Sequence, residues 1–203
     1  MNTNSRVLRI AVADDEPEML EFYEIALSDL GHQVAVKVTN GRELVEECRR
    51  CHPDLIITDI KMPEVDGLDA ATQIRSDAAI PVILVSAYHN ADLIERALHD
   101  HVLAYLVKPI KTADLEPAIA LVMRRFAEFQ ALQREADTLR QAMEDRKLVE
   151  RAKGILMKHA GLNEPDAFRR LQKLSSEKNT KMVEIARMIV TAEEAFSSGR
   201  DSG

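Results

Sequence analysis

Four short apolar runs in this chain end on polar residues of different kinds. Leu8 to Ala13, interrupted only by Arg9, leads into Asp14-Asp15, and Leu55 to Thr58 leads into Asp59. Val82 to Val85 leads into Ser86, and Tyr105 to Val107 leads into Lys108-Pro109. A fifth segment alternates Val34, Val36 and Val38, as a strand does. Between these runs the spacing turns helical. Residues 16–30 carry Met19, Leu20, Tyr23 and Leu27 on one side and stop at Gly31. Residues 41–51 read as a helix broken by His52-Pro53, and short helices are expected over 68–75 and 91–99. Five strands joined by helical crossovers predict an α/β fold, a five-stranded doubly wound parallel sheet. In such a sheet the polar groups at the strand ends emerge at one edge, where open α/β sheets bind ligands.

After Thr112 no strand signal returns. Leu115, Ile119, Val122, Phe126, Phe129, Leu132, Ala136, Leu139 and Met143 follow steps of four and three, and a helix is expected from Pro117 to a break near Gly161. Its first half is expected to pack on the sheet. The stripe beyond, from Phe126 to Met143, implies a partner helix. Gly161 to Pro165 reads as a stop and a new start, with Asn163 as N-cap and Pro165 in the first turn. Ala167, Phe168, Leu171 and Leu174 supply the apolar face of the next helix. Met182, Ile185, Ala186, Ile189 and Val190 supply that of the last. The expected second architecture is a long helix and a small three-helix bundle.

Charge sharpens the division. Residues 146–190 carry eleven Lys/Arg against five Asp/Glu, net +6, within a chain of net −7. A basic segment behind an acidic domain fits an anionic partner. Cys48-Arg49-Arg50-Cys51-His52 spells a haem-attachment pattern, but it falls at the end of a surface helix in a chain with no export signal. Ordinary reduced cysteines are expected. With no apolar stretch long enough to span a bilayer, no membrane partner and a cytoplasmic location are expected.

Three carboxylates, a hydroxyl and an ammonium at one sheet edge suit a hard cation and a phosphoryl acceptor. On Asp14-Asp15, Asp59, Met62-Pro63, Gly67, Ser86 and Lys108-Pro109, residues 5–120 resemble the receiver domain of a two-component response regulator. The resemblance implies Asp59 as phosphoacceptor, charged by a sensor histidine kinase and assisted by Lys108 and Ser86. It implies Mg²⁺ held by Asp14, Asp15, Asp59 and the Lys61 backbone carbonyl. It implies a switch formed by Ser86 and Tyr105, a cis Lys108-Pro109 peptide, and tuning of phosphoryl lifetime by Lys61 and Tyr88. Such a domain assists its own phosphoryl transfer and dephosphorylation but is not otherwise an enzyme. A metal-dependent phosphatase is disfavoured because Lys61, not an acid, stands two residues after Asp59.

Residues 146–157, with Leu162 to Leu171, Ser175-Ser176 and Lys181 to Ala186, resemble the ANTAR domain, an RNA-binding antitermination module. The domain expectation is a receiver over 1–120, a helical connector over 121–145 with a coiled coil as one option, the ANTAR-like output over 146–196 and a frayed tail over 197–203. The resemblance implies RNA stem-loops as partners and a homodimer that depends on phosphorylation. Ala167, Arg170, Ser175, Asn179 and Lys181 are expected on the RNA face, and Phe168 and Phe196 in the core. The competing reading is a response regulator whose helical output binds protein or DNA.

Overall fold

Strands β1 (Arg9–Ala13), β2 (Gln33–Val38), β3 (Leu55–Asp59), β4 (Val82–Ser86) and β5 (Ala104–Val107) lie in the order β2-β1-β3-β4-β5. Every pairing is parallel. The structure is a computed structural model and describes residues 6–87 and 104–197. The helix expected over 91–99, Tyr88, the side chain of Phe196 and the tail after Ser197 lie outside the described residues. The chain divides into two units, Met1–Gln130 and Ala131–Gly203.

In the first unit the alternation of side chains along each strand makes two cores. Ile10, Val12, Leu55, Ile57, Ile83 and Val85 face α1 (Pro17–Asp29) and the first turns of α4 (Thr112–Ala160), with Leu27, Leu115, Ile119 and Val122 packed against them. Ala11, Ala13, Ile56, Val82 and Leu84 face α2 (Gly41–Cys51) and α3 (Gly67–Asp77), which supply Leu44, Leu68 and Ile74. Strands β3 and β4 are buried along their whole length, as their unbroken apolar runs require. Asn40 and Asp66 cap α2 and α3, their side chains accepting from the N–H of Glu43 at 2.9 Å and of Asp69 at 2.7 Å. Cys48 is buried and its thiol pKa is pushed up to about 12, first by burial and then by its neighbours Cys51 and Glu47. Both cysteines are free thiols.

Helix α4 starts at Thr112 rather than Pro117 and runs for 49 residues, through Gly154. Asp114 accepts from the Lys111 N–H at 2.8 Å and sets that earlier start. Pro117 lies in the second turn, where it removes the one backbone bond that its N–H would have made.

In the second unit, Ala152, Leu171, Ile185, Ala186 and Val190 form a core between the end of α4, α5 (Glu164–Lys178) and α6 (Met182–Ser197). Asn163 caps α5, accepting from the Asp166 N–H at 2.9 Å. Two expectations are reversed here. Ala167 is fully buried, whereas Phe168 is 43% exposed and belongs to no core cluster. Neighbours on a helix are about 100° apart, and here the inward direction falls on Ala167 and Leu171 while Phe168 lies to one side of it. Lys153 is 7% exposed and reaches Glu150 and Glu164, each at 2.8 Å.

Gly67 shows how tightly the first unit is closed. A Cβ there would sit 1.9 Å from the carbonyl oxygen of Asp59 and 2.8 Å from the Thr58 hydroxyl. The Gly67 N–H also donates to the Ile60 carbonyl at 2.8 Å. Gly67→Ala is therefore expected to lower stability by about 1–3 kcal/mol. Urea denaturation measures it, and an unchanged midpoint would mean that the loop yields freely.

Candidate functional site

The parallel strands deliver their C-terminal ends to one edge. Asp14 follows β1, Asp59 ends β3 opposite Val85, Ser86 ends β4 opposite Val107, and Lys108 follows β5. Backbone bonds fix the spacing. The Asp14 N–H donates to Val38 at 3.2 Å, Ile60 to Val85 at 3.0 Å and Lys108 to Ser86 at 2.9 Å. The Lys108-Pro109 peptide is cis.

Lys108 gathers the carboxylates. Its Nζ lies 2.9 Å from Asp14, 2.9 Å from Glu16 and 3.3 Å from Asp59. Asp14 and Ser86 are buried, and Asp59 is 7% exposed. The Ile60 N–H donates to Asp59 Oδ1 at 2.7 Å, so Oδ2 is the oxygen that faces Lys108. On Asp14, Oδ1 accepts from Lys108 and from the Glu16 N–H. Its Oδ2 is close to the ammonium but receives no aligned hydrogen bond.

Electrostatics follow this geometry. Burial raises the Asp14 carboxyl pKa, and the hydrogen bond from Lys108 only partly offsets it. Burial alone would lower the Lys108 pKa, but hydrogen bonds to Glu16 and Asp14 outweigh it and hold the pKa above its ordinary value. Ligand atoms of Asp14, Asp15, Glu16 and Asp59 lie within 4.8 Å of one another, a set of hard oxygens that suits a divalent cation. Asp14 Oδ2, paired with the ammonium at 2.9 Å but without an aligned hydrogen bond, is an acceptor such an ion would satisfy. Glu16 escaped the sequence reading, although it directly follows the acidic pair. Tyr105 is half-buried at the margin of the second core, and Lys61 is exposed.

The residues expected on an RNA face are scattered in their environments. Arg170 and Lys181 are exposed and have no ion-pair partner among the described residues, and the same holds for Arg146, Lys178 and Arg187. Arg169 is engaged by Asp166 at 2.8 Å and Arg151 by Glu194 at 2.8 Å. Asn179 is the exposed left-handed cap of α5, and the Ser175 hydroxyl donates to the Thr180 carbonyl at 2.5 Å. Ala167 offers no surface at all and is withdrawn from the face.

Comparison with known proteins agrees with this division. The family model for the response regulator receiver domain matches residues 10–120, and that for the ANTAR domain matches residues 137–190. The chain is 40% identical over 182 residues to the transcriptional regulatory protein PdtaR of Mycobacterium tuberculosis, covering 90% of this chain and 89% of that one. A response regulator receiver domain protein from Clostridium thermocellum superposes with TM-score 0.56 at 26% identity, over 61% of this chain and 99% of that one. The chemotaxis protein CheY4 of Vibrio cholerae shares the fold, with TM-score 0.54 at 20% identity, over 57% of this chain and 98% of that one.

Asp14 generates a prediction about stability. In the unfolded chain its carboxyl titrates near the ordinary 3.8, and in the fold the pKa is raised. The ionised form therefore works against the fold at neutral pH, and that cost is relieved as the pH falls through the raised folded value. Asp14→Asn is expected to raise metal-free stability, since a neutral amide replaces a carboxylate that burial disfavours. Added Mg²⁺ should stabilise the wild type and not the variant. Urea denaturation with and without the cation reads both effects, and a variant no more stable than the wild type would contradict the electrostatic account.

Proposed function

The chain belongs to the response regulators that join a receiver domain to an ANTAR domain, and from that premise we propose that a sensor histidine kinase phosphorylates Asp59 and that the protein answers by binding RNA stem-loops that promote transcription antitermination. The observation that carries the first half is the position of Asp59, a nearly buried carboxylate 3.3 Å from Lys108 at the sheet edge. We take residues 1–120 as the receiver, 121–145 as the connector and 146–196 as the output, in a cytoplasmic protein. Among the described residues no helix is long and apolar enough to cross a membrane.

In this reading an Asp59 oxygen attacks phosphorus, and the bond to the kinase imidazole nitrogen breaks. Asp14, Asp15, Asp59 and the Lys61 carbonyl would hold Mg²⁺, with Glu16 beside them. When bound, the cation neutralises charge on the phosphoryl oxygens. Lys108 supports the same charge from the other side, moving from its carboxylate partners to the new oxygens. Phosphorylation adds roughly one further negative charge and strong acceptors. Ser86, at the end of β4, then donates to one of those acceptors, and Tyr105 turns into the space left by the loop that follows.

The output rests on the unpaired cations of the second unit. Arg170, Lys178, Lys181 and Arg187 are exposed without a carboxylate partner among the described residues, which favours a polyanion. Loop bases of a hairpin are accessible in a way that duplex edges are not. The ANTAR family's targets are tandem stem-loops with six-base loops, which need two reading heads, and Leu132, Leu139 and Met143 are exposed at 59–66% along α4. Pairing of two copies along that stripe supplies the second head and raises effective concentration.

Asp59→Asn should abolish labelling by acetyl phosphate or a phosphohistidine donor, and excess chelator should do the same to the wild type. Residual full labelling in the variant would place the acceptor elsewhere. For the output, Arg170→Ala in the full chain should weaken binding to a hairpin with a six-base loop by about 1–3 kcal/mol. Arg169→Ala should cost less, because Asp166 already engages that guanidinium. Binding isotherms compare the two, and equal affinities for Arg170→Ala and wild type would remove Arg170 from the face.

A further inference from the structure

Phe168 is an aromatic ring outside the buried core of its unit. It is 43% exposed, lies outside the core of the second unit and outside the half-buried shell around that core, and makes no ring contact among the described residues. It is the sole Phe, Tyr or Trp among the described side chains of residues 131–197. A single exposed apolar side chain needs no explanation by itself. This ring stands in a specific setting, however. Gln172 and Ser175 follow it at one and two turns along the same side of α5, and Gln172 is exposed. The same small unit carries five cations without carboxylate partners among the described residues, Arg146, Arg170, Lys178, Lys181 and Arg187, in a segment of net +6.

Aromatic faces combined with unpaired cations are how proteins hold single-stranded nucleic acid. The cations track phosphate, and the ring stacks on an unstacked base regardless of its identity. We propose that Phe168 is the stacking platform for a loop base of the RNA, with the Gln172 amide placed to read the edge of the same or the next base. This rests on the RNA-binding reading above and adds to it the residue that distinguishes an open loop from a duplex. The cations supply affinity for any RNA. Phe168 supplies preference for unpaired bases.

The chain contains no tryptophan, so Phe168→Trp places a single stacking reporter in the full-length protein. The probes are a hairpin with a six-base loop and the same stem closed by six abasic residues. The expected result is quenching of the introduced indole by the six-base loop and none by the abasic loop. Affinity is measured separately, with Phe168→Ala. That variant should bind the six-base hairpin about tenfold or more weakly, without change in the slope of affinity against salt, because stacking releases no counterions. Arg170→Ala should lower that slope by about one. Since the ring is outside the buried core, the circular dichroism of Phe168→Ala should show the wild-type helical fold at the temperature of the binding measurement.

Wild-type affinity in Phe168→Ala, or equal quenching by both RNAs, would overturn the inference while leaving RNA binding in place. Quenching that grows with protein concentration in the absence of RNA would assign the ring to a contact between copies, and would overturn it too. Failure of the wild type to bind either RNA at low salt would remove the underlying reading and this inference with it.

Discussion

One ammonium holds together charges that would otherwise repel. Asp14 and Asp59 project from neighbouring strands into nearly the same buried space, and Glu16 adds a third carboxylate at its rim. Without a cation this arrangement would be costly, because burial disfavours ionised groups and like charges disfavour each other. Lys108 touches all three. The strand ends that bring these groups together are locked by backbone bonds and by the close approach of Gly67 to the Asp59 carbonyl. The site is thus a poised electrostatic balance. A divalent cation would add two units of positive charge and a phosphoryl group roughly one of negative charge, in a partly buried place where charge is poorly screened. That is the physical basis for a switch.

Much of the first unit was legible because its sequence is locally consistent. Strands β3 and β4 are unbroken apolar runs, so burial on both faces followed directly, and the polar residue at each strand end had to emerge at the same edge. The sheet order needed the parallel crossover rule as well as periodicity. What stayed hidden was Glu16. An acidic residue at a helix start is so often a simple capping charge that only the ion pair with Lys108 sets it apart.

The second unit was legible in its helices and less so in their faces. Asn163, Pro165 and Asn179 mark the ends of α5 by capping chemistry that depends on a few neighbouring residues. The inward direction depends on how three short helices close on one another, and that is a tertiary fact. Ala167 and Phe168 are adjacent, both apolar, and the sequence pattern accepts either as the core residue. The packed interior takes the methyl group and leaves the ring partly exposed. Lys153 shows the converse: its charge becomes a buried tie between α4 and α5 through Glu150 and Glu164.

In the proposed function the two ends of the protein are coupled: a charge placed at Asp59 alters what the cations of the output hold. By linkage, the phosphorylated and unphosphorylated forms must then differ in affinity for RNA. The direct measurement is the dissociation constant of the full-length protein for a tandem six-base hairpin RNA, at one fixed salt concentration, before and after phosphorylation by acetyl phosphate. Tighter binding by the phosphorylated form is expected, by at least about fivefold. Equal affinity in the two states would contradict the coupling of Asp59 to the output.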